Sequence, residues 1–587
     1  MILRTLSLLT LACVASSTVI ANQASDAVAP ETPTGWETKK AQQSKKWMVT
    51  AANPIASQYA AQVLNGGGNA IDAMVVTQLV LGLVEPQSSG VGGGAFLVYW
   101  DGEKKNLTTF DARETAPLAV KPEHFIGEDG QPLKFYDAVV SGLSVGTPGA
   151  IKLLWEMHQK HGSVKWPRLI EPVIELAEQG FTISPRLASL IERDKQHLSI
   201  DANSKAYFLN ADGSAKQAGE VLINQAYADT LKLLATYGEN AFYQGDIAND
   251  IVTAVANHPK HTGVLAKKDL ARYEVIERTP ICVDYLEYDV CGMGPPSSGG
   301  IAVGQILKLS EQFPLHEWGS SNANSYKVIG DATQLAFADR GKYLADSDFV
   351  SVPSQGLINE DYLKQRAEMI NLKAPLKSVS AGSPPWEIAL NYANDQSIEL
   401  PSTTHFNIVD AEGNVVSLTS SVENVFGSRI MVRGFLLNNQ MTDFSFKHHQ
   451  DGQIIANHIA PGKRPRSSMS PTIVLKNGSP YLSIGSPGGS YIIGYVAQAL
   501  IAHLTWQLPL EEVVQLPHIS NRFGTVEFEQ DTSAQQYEQQ FKKWGYKTKL
   551  KPLNSGLHII KIDQDLTGAA DPRREGVAIG ENQMVGQ

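Results

Sequence analysis

The sequence predicts an α+β fold in which a mainly helical first two-thirds meets a strand-rich last third. From about residue 148 to 370, apolar residues recur with helical spacing. After residue 403, short stretches alternate apolar and polar with the period of a strand. Between them, 374–400 carries Pro384-Pro385, Asn391, Asn394 and Gln396 and reads as a loop.

Composition bounds the function. The chain has 587 residues, more than one compact core usually accommodates. Its 43% hydrophobic and 19% charged residues are ordinary for a globular protein. A net charge of −11 argues against an extended nucleic-acid surface, and no internal apolar run approaches the roughly 20 residues of a membrane span.

Arg4, the apolar run Leu6 to Val14 and the small residues after it read as a secretory signal peptide over 1–21, cut near Ala21. A lipoprotein reading at Cys13 is disfavoured by the short apolar run before it. Export with few cysteines points to the periplasm of a Gram-negative bacterium. Cys282 and Cys291 flank a hairpin turning at Leu286-Glu287, which sets them opposite each other; an oxidising compartment predicts a disulfide.

Residues 22–45 read as a loose leader, and Trp47 to Thr50 as a first strand. Asn53 caps a helix with Pro54 in its first turn, running to Leu64 before Gly66-Gly67-Gly68. A very apolar helix follows over Ala70 to Val84. Gly90-Val91-Gly92-Gly93-Gly94 superficially matches a dinucleotide fingerprint. That motif must follow a strand and open a helix, whereas here it follows a helix and opens the strand Ala95 to Trp100. Phe110-Asp111-Ala112-Arg113 ends another strand.

Gly142-Leu143-Ser144-Val145-Gly146 matches the nucleophile elbow of serine hydrolases, with Val139-Val140 as a possible strand end. An elbow helix should begin at the serine, but Thr147-Pro148 intervene, and no Asp and His partners stand out. The stretch reads as a loop before a helix over Pro148 to Gln159. Further helices are expected over Trp166 to Glu178, Pro185 to His197, Asn224 to Thr236, Ile247 to Asn257, Ile301 to Glu311 and Ser325 to Leu344. Strands are expected over His405 to Val409, Asn414 to Ser420, Gly434 to Asn438, Thr472 to Leu475 and Tyr481 to Gly485. Asn477-Gly478 turns the last two into a hairpin, and a helix over Tyr491 to Thr505 follows.

The chemistry centres on Pro401-Ser402-Thr403-Thr404-His405. Thr403 opens a strand directly after the loop. Cutting Ser402-Thr403 would give Thr403 a free α-amino group with a pKa of about 7.7 to 8, a base matched to neutral pH and attached to its own nucleophile.

The chain resembles the gamma-glutamyltranspeptidases, members of the N-terminal-nucleophile hydrolase superfamily. The resemblance spans about Lys46 to Gly580. It rests on Gly67-Gly68-Asn69-Ala70-Ile71-Asp72-Ala73, Glu85-Pro86-Gln87-Ser88-Ser89-Gly90, Pro295-Pro296-Ser297-Ser298-Gly299-Gly300, Thr403-Thr404-His405, Leu437-Asn438-Asn439-Gln440-Met441-Thr442-Asp443, Arg464-Pro465-Arg466-Ser467-Ser468-Met469-Ser470-Pro471 and Gly485-Ser486-Pro487-Gly488-Gly489-Ser490.

The resemblance implies a four-layer αββα sandwich. It implies a precursor that cuts itself into a large chain, 22–402, and a small chain, 403–587, which remain together as a heterodimer. Thr403 would be the nucleophile, Ser421 its hydroxyl neighbour, and Gly488 and Gly489 the oxyanion hole. Arg113, Ser467 and Ser468 would hold the α-carboxylate of a γ-glutamyl group, and Gln440 and Asp443 its α-amino group. Glutathione and an amino acid or peptide acceptor would be the substrates, with no metal or organic cofactor; His448 and His449 read as a solvated loop.

Two departures matter. Glu423 stands where the family usually has asparagine; it either strengthens an ammonium contact or fits a donor without one. The segment Phe446 to Arg464, which matches the family's lid, looks short and has no Tyr or Trp, suggesting a more open site that favours hydrolysis. The alternatives are an acylase for glutaryl side chains such as those of cephalosporins, a Ser144 serine hydrolase, and a periplasmic binding protein without turnover.

Overall fold

The computed structural model describes residues 35–376, 379–388, 390–395, 397, 402–581 and 583. The signal peptide expected over 1–21, Cys13 with it, the leader up to residue 34, and Gln396 and Pro401 near the expected cut lie outside these residues.

Alternation along the strands builds two sheets, each with one face on helices and one on the other sheet. In the strand Thr404–Val409, Phe406 and Ile408 pack on the helices Pro54–Asn65 and Ala70–Val84. Val409 points the other way, into a core shared by both sheets with Met48, Val98, Trp100, Val415, Ile473, Ile560 and Leu566. The first sheet has seven strands in the order Val577–Gly580, Met48–Ala51, Thr404–Val409, Val415–Ser421, Gly94–Asp101, Asn106–Ala112 and Ile276–Arg278. The second runs Gln42–Ser44, Leu566–Ala570, His558–Ile562, Ser479–Gly485, Thr472–Lys476, Tyr288–Gly292 and Ile281–Tyr285. Its outer face, with Val474, Leu482, Ile484 and Ile559, packs on the helices Gly299–Glu311 and Ile492–Leu500. The result is the four-layer αββα sandwich.

The expected helices form, with ends shifted by one or two residues. Asn69 and Asp72 make a capping box at the start of Ala70–Val84. Asp410 accepts from the Ala70 N–H at 2.8 Å, tying that helix to the end of the Thr404–Val409 strand.

Several expectations need correcting. The leader is not loose at its end: Gln42–Ser44 pairs with Leu566–Gly568, and Lys39 donates to the carbonyls of Asp571 and Gly576. Val139 closes a short helix, Phe135–Val139, not a strand. Gly434 to Asn438 is not one strand. Gly434 turns with φ 86°, Phe435–Leu436 pairs with Met431–Val432, Leu437 makes a single bridge to Gly92, and the Asn438 side chain is committed to loop carbonyls. The helix expected over Tyr491 to Thr505 changes to π spacing over Ile501–Thr505. In the loop before Thr403, Tyr392 and Ala393 are buried.

Cys282 and Cys291 face each other across a two-residue turn, with Cα atoms 4.0 Å apart and the sulfurs bonded. Among the described residues no helix is long and apolar enough to cross a membrane, and no cluster of metal-ligating side chains is present.

Between the sheets lies a buried polar network. His405 contacts the Thr419 hydroxyl at 2.8 Å and the Asn407 side chain at 3.1 Å, and Asn407 donates to the His558 carbonyl at 2.8 Å. Burial pushes His405 down to about 3, and His258 and His458 down to about 4. These imidazoles stay neutral in the fold but take up protons when unfolded below about pH 6.5. Their stabilisation is therefore complete above that pH and lost progressively towards pH 3 to 4, with a slope of about 1.4 kcal/mol per pH unit for each histidine. The midpoint of urea unfolding should fall steeply from pH 6.5 to 4.5; a flat profile would show that these rings titrate alike in both states.

Candidate active site

Register places the site. Thr404 pairs with Ser420, so Thr403 and Ser421 come opposite each other at one end of the inner faces. The Thr403 hydroxyl donates to Ser421 Oγ at 3.3 Å, and Ser421 Oγ–H donates to the Ser402 carbonyl at 2.8 Å. The Glu423 N–H donates to the same Ser421 oxygen at 2.8 Å. The Ser402 hydroxyl bonds the Gln87 carbonyl at 2.5 Å, anchoring the residue before the expected cut. Ser421 thus touches both the hydroxyl and the carbonyl that an intramolecular attack would join, and its donated hydrogen bond polarises that carbonyl.

The glycine-rich stretch explains itself here. A Cβ on Gly93 would lie 2.1 Å from the Ser421 carbonyl oxygen, and one on Gly92 would lie 2.1 Å from that of Leu436. These glycines let the loop pass directly behind the site strand.

Thr403, Ser421, Glu423, Gln440, Asp443, Arg113, Ser467, Ser468 and Gly489 line one cavity with Met469 and Ile492. With the Ser402–Thr403 peptide intact, its free space is about 20 Å³, room for one water. Gly488 and Gly489 form the adjoining turn with φ 137° and 57°, a conformation that L side chains rarely adopt.

Arg113 is 1% exposed. It donates to the carbonyls of Pro465 at 3.2 Å and Arg466 at 2.9 Å and pairs with the Asp443 carboxylate. Gln440 donates to Asp443 at 3.1 Å while its own carbonyl oxygen is buried without a hydrogen-bond partner. Glu423, held at φ 78°, accepts from the Asn439 side chain. The site thus presents one guanidinium beside two carboxylates and an unpaired acceptor.

Sequence reasoning missed the residues that hold these groups. Arg340, in the last turn of Ala323–Tyr343, donates to the Ser468 hydroxyl at 2.8 Å and to Ser298 at 2.8 Å. Ser298 in turn donates to the Ser467 carbonyl at 2.7 Å, which is what Pro295-Pro296-Ser297-Ser298 does. Glu114, beside Arg113, is pushed up to about 8 by burial, against the pull of the Arg113 charge. Its place next to Arg113 was the only available signal.

The rival nucleophile is excluded by its bonds. Ser144 is fully buried and its hydroxyl is spent on the carbonyls of Val139, at 2.8 Å, and Ser141, at 2.9 Å. His448 and His449 touch each other at the hairpin His449–Gln450/Gln453–Ile454, and the His448 ring lies 4.2 Å from that of His458, tilted by 49°.

The gamma-glutamyltranspeptidase family model matches residues 56–581. The chain belongs to the gamma-glutamyltranspeptidase family. It is 38% identical to the glutathione hydrolase proenzyme of Bacillus subtilis strain 168 over 559 residues, 93% of each chain. It is 35% identical to that of Escherichia coli K12, covering 90% of this chain and 91% of the relative. Among solved structures, cephalosporin acylase from Bacillus halodurans superposes with TM-score 0.81 at 25% identity, covering 94% of this chain and 98% of that one. A match of this extent assigns the motifs to one transpeptidase-family scaffold.

If Gly93 serves packing, Gly93→Ala should cost about 1–3 kcal/mol through overpacking and lower the melting temperature. An unchanged melting temperature would mean the loop behind Ser421 has slack.

Proposed function

We propose that this protein is a self-processing γ-glutamyl hydrolase and transferase in which Thr403 is the nucleophile. The observation that carries the reading is the Thr403–Ser421–Ser402 arrangement at the mouth of a pocket with both signs of charge. In the uncut chain, Thr403 Oγ attacks the Ser402 carbonyl, with Ser421 donating to the developing oxyanion. The resulting ester hydrolyses and frees the Thr403 amine. That amine then takes the hydroxyl proton as Oγ attacks a γ-glutamyl amide such as that of glutathione. The Gly488 and Gly489 N–H groups receive the oxyanion, the amine leaves with a proton, and water or an acceptor amine releases glutamate or a new γ-glutamyl compound.

Substrate charge supports a γ-glutamyl donor. Arg113, with Ser467 and Ser468, suits the α-carboxylate; Asp443, Glu423 and the unpaired Gln440 oxygen suit the α-ammonium. The similarity to a cephalosporin acylase motivates the second reading, a glutaryl donor. Such a donor has no ammonium and would leave buried acceptors unpaired, which sites of this kind reject strongly. Phe446 stacks on Phe125 at 4.4 Å and on Phe135 at 6.3 Å, away from a role as an aromatic cover. This supports hydrolysis over transfer.

Purified wild type should give two masses, the smaller chain beginning at Thr403, while Thr403→Ala stays whole and inactive. One uncut wild-type chain would sink the mechanism. Ser421→Ala should slow the cut about a hundredfold by removing the oxyanion donor, and Ser421→Thr should restore much of it; wild-type cutting rates in Ser421→Ala would remove Ser421 from the chemistry. Glutaryl amides cleaved while γ-glutamyl amides are ignored would install the second reading.

A further inference from the structure

The mechanism leaves unused a buried ion pair formed by the segment just before the expected cut. Asp395 lies eight residues before Thr403, with its side chain 1% exposed. Its Oδ2 accepts from Arg466 Nη2 at 2.7 Å, from Asn457 Nδ2 at 2.9 Å and from the Ser397 hydroxyl at 2.8 Å. The Asp395 N–H donates to the Gly341 carbonyl at 2.8 Å.

Both partners lead to the donor pocket. The Asn457 amide that bonds Asp395 also donates to the Asp443 carbonyl at 2.8 Å, and its oxygen accepts from the Arg466 N–H at 3.0 Å. Arg466 precedes Ser467, and its carbonyl accepts from Arg113 Nη2 at 2.9 Å. Asp395 is thus one residue removed from the Asp443 backbone on one side and from Arg113 on the other.

We infer that Asp395 is a positioning residue for the donor pocket, and that the large chain stays docked through it after Ser402–Thr403 is cut. The inference rests on the proposed γ-glutamyl reading. Electrostatics favours docking: Arg466 is 2% exposed, and departure of the carboxylate would strand a buried guanidinium, a strongly unfavourable state. The neighbouring chain is fastened too. Ala393 N donates to the Ile454 carbonyl at 2.9 Å, the Tyr392 hydroxyl to the Ser351 carbonyl at 3.2 Å, and the Trp386 indole to the Ser351 hydroxyl at 3.2 Å. None of these bonds involves the Ser402–Thr403 peptide, so breaking that peptide leaves the fastenings of Asp395 in place. Asp395 fixes Arg466 and Asn457, and these hold the groups that grip the substrate's two charges.

The test uses Asp395→Ala, Asp395→Asn, Arg466→Met and the double variant Asp395→Ala/Arg466→Met in the full chain. Cutting is followed by intact mass, stability by melting temperature, and KM and kcat with γ-glutamyl-4-nitroanilide. Asp395→Ala and Arg466→Met should both be cut, with KM raised tenfold or more and kcat within twofold of wild type. Asp395→Asn, which keeps the shape and one acceptor, should fall between. The double variant should be no worse than either single, because the pair acts as a unit. If Asp395→Ala does not fold, Asp395→Asn and Arg466→Met decide the matter alone. KM within twofold of wild type, or KM and kcat worsening together with a large drop in melting temperature, would overturn the inference. If wild type cuts itself and hydrolyses only glutaryl-4-nitroanilide, the donor assignment fails, and the same KM split is read with that donor, whose carboxylate also needs Arg113.

Discussion

The hydrogen bond from the Ser421 hydroxyl to the Ser402 carbonyl is the contact on which the rest of the molecule bears. It exists because two adjacent antiparallel strands hold one register. A one-residue slip would turn Thr403 from the inner face to the helix face and separate it from Ser421. The structure spends much on preventing that slip. Asp410 pins one end of the Thr404–Val409 strand to a helix N-terminus. His405, Asn407 and Thr419 interlock across the inner faces, where an apolar core would tolerate more sliding. Gly93 brings a loop within van der Waals contact of the Val415–Ser421 strand's end, so that the strand cannot shift towards it.

What was legible in the sequence was local. The helix cap at Asn53, the strand that Thr403 opens, the Asn477-Gly478 turn and the cysteine hairpin all follow from spacing within about a dozen residues. What was hidden depends on contacts far apart in the chain. Nothing in Gln42–Ser44 shows that it will pair with Leu566–Gly568. The composition of the loop before Thr403 does not show that Trp386, Tyr392 and Asp395 will bond to Ser351 and Arg466. The site divides the same way. Motif resemblance assigned roles to residues that gather around the cavity, but none to Arg340, Arg466, Asn457 or Asn439, whose roles arise only when distant segments meet. Ser144 shows the converse: its local pattern invited a nucleophile, and its two carbonyl acceptors were invisible until the chain folded.

The charges of the pocket connect closure with selectivity. In the uncut chain Arg113 and Asp443 satisfy each other, so the site can be buried without a ligand. On the proposed reading, an incoming donor competes for both groups. A group bearing both a carboxylate and an ammonium exchanges one internal pair for two external ones, so neither buried charge is left alone. A group bearing only the carboxylate compensates Arg113 and strands Asp443, with Glu423 close by to deepen the imbalance. Because uncompensated buried charge is far more costly than a paired one is favourable, discrimination comes from the group left behind rather than from the contact made. On the proposed reading, Glu423 therefore sharpens the preference for a zwitterionic donor by adding to the cost of leaving the ammonium out.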